Sequence, residues 1–79
     1  MVTQSKKYKG ISGKSGITSY KIFERGIILE FQYKDLYLYD YTKPGKKHVE
    51  QMKILAESGK DLTTYVNQNV RDNYKEKIK

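Results

Sequence analysis

Apolar and polar side chains alternate along residues 17–41 with the two-residue period of a strand, and after Pro44-Gly45 they recur every three or four positions, as on a helix. A first β-rich run extends from Ile17 to Phe23. Glu24-Arg25-Gly26 breaks it, and Gly26 is expected to supply the positive φ of a tight hairpin. In the next run Ile27, Leu29, Phe31 and Tyr33 share one face, while Ile28, Glu30 and Gln32 share the other. Lys34-Asp35 can turn the chain again, and the third run sets Leu36, Leu38 and Asp40 against Tyr37, Tyr39 and Tyr41. Three strands in a meander follow.

Beyond Pro44-Gly45, Val49, Met52 and Ala56, joined by Leu55, form an amphipathic stripe that predicts a helix to about Ser58, with Gly59 as its stop. Asp61 then stands at an N-cap position, where its carboxylate is expected to accept from the first turn of a second helix over 62–73. Leu62, Tyr65, Val66 and Val70 form the inward side, and the charged tail 75–79 is expected to fray. The fold class predicted is α+β, a three-stranded antiparallel meander followed by two helices packed on one sheet face. Residues 1–16, with four lysines, no acid and clustered Gly and Ser, predict a flexible basic arm ahead of a single domain over 17–79.

Length and composition narrow the chemistry. A chain of 79 residues without cysteine and with one histidine has neither a disulfide framework nor a Cys/His zinc site, so no metal or cofactor is expected. Packing must carry its stability, which keeps a homodimer open. The longest apolar run, Ile27-Ile28-Leu29, ends at Glu30, and the basic N-terminus has no apolar stretch after it. These features predict no membrane span, no secretory signal and a cytoplasmic location. Sixteen Lys and Arg against nine acids give +7, a field that attracts phosphate or an acidic protein partner and equally keeps a small protein in solution.

Eight tyrosines, with no tryptophan and two phenylalanines, are the most unusual feature. Tyr37, Tyr39 and Tyr41 project to one side of a strand about 7 Å apart. Such a row can stack on unstacked bases, or it can form the core; if Leu36 and Leu38 face the helices, the tyrosines are exposed. Lys46 and Lys47 add charge at the start of the first helix. On the second, Thr64, Asn67 or Gln68, Arg71 and Lys75 share a polar face, and the guanidinium of Arg71 suits phosphate. His48 has no carboxylate in sequence to orient it and reads as a surface residue. Gly10, Gly13 and Gly16 precede no strand-to-helix transition, so no phosphate loop is expected. No catalytic set appears.

The order and spacing of Ser15, Ile17, Tyr20, Phe31, Tyr37-Leu38-Tyr39, Ala56, Ser58 and Gly59, then Tyr65, Asn67, Val70, Arg71 and Tyr74, resemble the KTSC domain. This is a short bacterial module found alone and appended to some lysyl-tRNA synthetases. The chain differs from that pattern at Lys34-Asp35, at Lys43-Pro44-Gly45 and at Val66. The family carries no established activity; RNA binding is the role suggested for it, and the resemblance adds Tyr74 to the candidate contacts. The leading expectation is thus a non-catalytic module binding RNA or single-stranded DNA through Tyr37, Tyr39, Tyr41, Asn67, Arg71, Tyr74, Lys46 and Lys47. The alternatives are a pocket for a nucleotide-like phosphorylated ligand and a basic protein-interaction accessory of mobile-element or phage type.

Overall fold

The computed structural model describes residues 6–7, 16–32 and 34–79. The strands are β1 (Lys6–Lys7), β2 (Ile17–Phe23), β3 (Gly26–Phe31), β4 (Asp35–Asp40) and β5 (Glu76–Lys77). Helices α1 (Lys46–Ser58) and α2 (Leu62–Tyr65) follow β4, and α2 runs directly into a π-helical turn, Val66–Val70. The fold is α+β. The sheet has five antiparallel strands in the order β1-β2-β3-β4-β5, so the predicted meander gains a two-residue strand at each edge. Of the predicted arm over 1–16, all but Lys6–Lys7 and Gly16 lies outside the described residues, as does Tyr33.

Register explains which side chains are covered. Tyr20 pairs with Leu29 and Leu29 with Tyr37, while Ile22 pairs with Ile27 and Ile27 with Tyr39. Cross-strand partners share a face, so these residues form one continuous apolar surface. Val49, Met52 and Ala56 of α1, Leu62 of α2, and Val66 and Val70 of the π-helical turn close over it. A bulge between Ile17 and Ser19 lets Ile17 and Thr18 both turn inward, and the Ile17 N–H donates to the Thr63 hydroxyl at 3.2 Å, joining β2 to α2. The tyrosine side of β4 is therefore the helix-covered side. Leu36 and Leu38 fall on the opposite, open face with Ile28.

Three local expectations are corrected. Gly26 has no positive φ among the described residues; it begins β3, where a Cβ would lie 2.9 Å from the Tyr39 carbonyl oxygen and 3.1 Å from Asp40 Cβ. Close strand approach, rather than turn conformation, demands glycine there. Asp61 occupies the N-cap position but adopts left-handed backbone (φ 68°) and makes no side-chain capping bond. The tail does not fray: Lys75 N–H donates to Leu38 O at 2.7 Å, Ile78 N–H to Leu36 O at 2.8 Å, and Leu36 N–H to Lys79 O at 2.9 Å. These bonds use the backbone edge that β4 would otherwise expose. Gly59 does stop α1, in left-handed conformation, with its N–H on Leu55 O at 3.1 Å.

Gly26→Ala is expected to destabilise the fold by about 1–3 kcal/mol, the usual cost of overpacking. Urea unfolding of this variant and the native chain checks it; an unchanged midpoint would mean that the β3–β4 approach is not tight.

Candidate functional site

A cleft of about 450 Å³ opens between the end of the sheet and the segment that follows the π-helical turn. Phe31, Gln32, Asp35, Tyr37 and Tyr39 line it from β3, its exit turn and β4; Asn67, Arg71, Asp72 and Tyr74 line it from the opposite side. That volume lies within the range of about 300–1,000 Å³ typical of small-ligand pockets.

Aromatic rings build its inner surface. Tyr37 meets Tyr74 at 4.7 Å between centroids with a 48° tilt, and Phe31 meets Tyr37 edge-on at 5.6 Å and 78°. Tyr74 in turn stands edge-on to Tyr39 at 6.3 Å and 83°. Tyr39 is the floor: it is 1% exposed, and its hydroxyl donates to the Arg71 carbonyl oxygen at 3.2 Å. A buried phenol needs such an acceptor, and the carbonyls ending a helical segment are the ones left without partners inside it. Burial pushes the Tyr39 phenol well above its ordinary pKa, and the neighbouring Tyr37, Tyr74 and Asp72 push the same way. Tyr37 and Tyr74 are half-buried, so each keeps part of its ring at the cleft.

The π-helical turn sets the opposite wall. Its five-residue turn buries Val66 and Val70 while leaving Asn67 and Arg71 exposed toward solvent and cleft. Turns of this kind recur at functional sites because they re-aim side chains that an α-helical register would carry past. Among the described residues Arg71 is the one cation of the lining, and Asp35 and Asp72 are its acids. Lys77 stands beside the cleft, with its ammonium 5.8 Å from the Tyr37 centroid and 4.0 Å from the Asp35 carboxylate.

Tyr37, Tyr39, Asn67, Arg71 and Tyr74 thus converge from two separated stretches of sequence, 37–39 and 67–74. Tyr41, Lys46 and Lys47 lie outside this lining. The Tyr41 hydroxyl donates to Glu50 at 2.6 Å, and Lys46 and Lys53 stand 5.8 Å and 5.6 Å from its ring centroid. That bond to Glu50 is the leading cause that raises the Tyr41 pKa and holds the Glu50 carboxyl below its ordinary range. Lys47 is exposed near the start of α1. His48, read as a surface residue, is instead half-buried, with Nδ1 2.7 Å from the Tyr65 hydroxyl.

Phe31, Gln32, Asp35 and Asp72 join the lining although the sequence pattern places none of them there; it assigns Gln32 and Asp35 only to a strand face and a turn. Asp35 and Asp72 flank the turn before β4 and the end of the π-helical turn, so their meeting depends on tertiary structure alone. A second hollow of about 280 Å³ on the open sheet face is lined in part by Ser19, Lys21, Ile28, Glu30 and Leu36, but its Ser19 hydroxyl already donates to Glu30 at 2.6 Å. Among the described residues no group of three or more His, Cys, Asp or Glu converges as a metal site, and no helix is long and apolar enough to cross a membrane. No family model, curated protein or solved structure matches the chain.

Tyr39→Phe removes the donor to Arg71 and keeps the ring, so a loss of about 0.5–1.5 kcal/mol in urea unfolding is expected. The raised phenol adds a pH dependence. Because the folded state holds Tyr39 neutral, its contribution is whole below the ordinary tyrosine value of 10.0 and is lost as pH rises above it. Above that pH the native chain should lose stability more steeply than Tyr39→Phe; parallel curves would contradict the assignment.

Proposed function

We propose that the chain is a non-catalytic module that binds single-stranded nucleic acid, RNA foremost, by taking one unstacked base into the cleft between β4 and the π-helical turn. The observation that carries this reading is the convergence of Tyr37 and Tyr74 with Asn67 and Arg71 around a single opening. Half-exposed phenol rings give a base a flat apolar surface, and the amide and guanidinium give its edge directional partners. The likeness to the KTSC domain points the same way.

Charge decides how the ligand sits. Among the described residues the lining holds one guanidinium against two carboxylates, which repels a phosphate inserted deeply. A neutral base meets no such penalty. Exposed lysines outside the lining, Lys75 and Lys77 beside β4 and Lys34 at the turn before it, then meet the backbone phosphates. Base inside and phosphate outside is the arrangement of a strand binder rather than of a phosphate pocket.

Fluorescence anisotropy with a short mixed-sequence RNA, the matching DNA strand and a duplex tests the reading. Single strands are expected to bind more tightly than the duplex, with a log affinity falling by roughly 0.7 per phosphate contact for each log step in salt. Tyr74→Leu, which keeps apolar cover and loses the stacking face, should weaken binding by about 1–3 kcal/mol. Binding that is equal for duplex and single strand, and indifferent to Tyr74→Leu in a variant of native circular dichroism, would overturn it.

A further inference from the structure

Resting on that reading, we infer that the cleft selects guanine, with Asp72 accepting from the base's N1–H and N2–H and Arg71 donating to its O6 and N7. Arg71 and Asp72 are consecutive residues at the end of the π-helical turn, and both line the cleft. Among the described residues neither the Asp72 carboxylate nor the Arg71 guanidinium has a hydrogen-bond or ion-pair partner, whereas Asp35 has Lys77 4.0 Å away. Both are exposed and line the cleft together with Tyr37 and Tyr74. One cleft therefore holds an acceptor-only group, a donor-only fork and aromatic rings.

The four bases present different edges to such a pair. Guanine carries two adjacent donors, N1–H and N2–H, matched to the two oxygens of one carboxylate, and two adjacent acceptors, O6 and N7, matched to an Arg fork. Adenine and cytosine each place a ring-nitrogen acceptor beside their amino donor, and that acceptor meets the carboxylate unfavourably. Uracil flanks its single N–H with two carbonyl oxygens. Only guanine divides its donors and acceptors as Asp72 and Arg71 divide theirs. Acids are an unusual choice in a nucleic-acid site on a chain of net charge +7, and base-edge recognition gives Asp72 a role that phosphate binding cannot.

The test uses oligouridine 10-mers carrying one central guanosine, inosine, adenosine, cytidine or uridine, with affinity read by anisotropy at one salt concentration. The guanosine strand is expected to bind at least 10-fold more tightly than the adenosine, cytidine and uridine strands. Inosine, which lacks the N2 amino group, should fall between. Asp72→Asn should bring the ratio of guanosine-strand to all-uridine affinity, taken within the variant, to within 2-fold of unity. Arg71→Lys, which keeps the charge and loses the fork, should lessen that ratio. Equal binding of the five strands, or a preference for another base, overturns the guanine assignment and leaves the strand-binding reading in place. A guanosine preference that Asp72→Asn leaves intact overturns the role of Asp72. No binding by any strand overturns both.

Discussion

A tyrosine buried to its hydroxyl must end on a hydrogen-bond acceptor, and in this chain Tyr39 ends on the carbonyl of Arg71. The ring comes from the middle of β4 and the carbonyl from the end of the π-helical turn, 32 positions away. That bond holds the turn over one end of the sheet. With Val66 and Val70 packed inward beside it, the neighbouring side chains of Asn67, Arg71 and Asp72 face the aromatic side of β4. The tail then runs back along β4, placing Tyr74 on Tyr37 and Lys77 at the rim. The cleft is a consequence of satisfying one buried phenol.

The same constraint divides the charge. The chain carries a net charge of +7, while among the described residues no lysine lines the cleft and its lining has more acid than base. Global field and local lining therefore differ in sign, and a net positive field of this kind favours anions at a distance. Tyr37, Tyr39 and Tyr74, which line the cleft, also belong to or pack against the core, so one set of rings serves both.

Periodicity made much of the fold legible. The alternation from Ile27 onward, the stripe of Val49, Met52 and Ala56, and the stop at Gly59 follow from local rules and appear where those rules put them. What escaped depends on partners distant in sequence. Gly26 looked like a hairpin glycine because the turn is local, whereas the Tyr39 carbonyl that forbids a side chain comes from the next strand. The tail looked frayed because its five residues have no period of their own; β4 supplies their hydrogen bonds. The π-helical turn has no signature in Val66–Val70 that separates it from an α-helix. For the site, aromatic and arginine residues were visible by type, but Asp35 and Asp72 are ordinary surface acids until the fold brings them to one opening.

Amide and side-chain chemical shifts of the ¹⁵N-labelled chain, followed as a short guanosine-containing single-stranded RNA is added, locate the bound base directly. The largest changes are expected on Tyr37, Asn67, Arg71, Asp72 and Tyr74, including the Asn67 amide and Arg71 guanidinium signals. Changes confined to Lys46 and Lys47, or to Lys21 and Ile28 on the open sheet face, would contradict that placement.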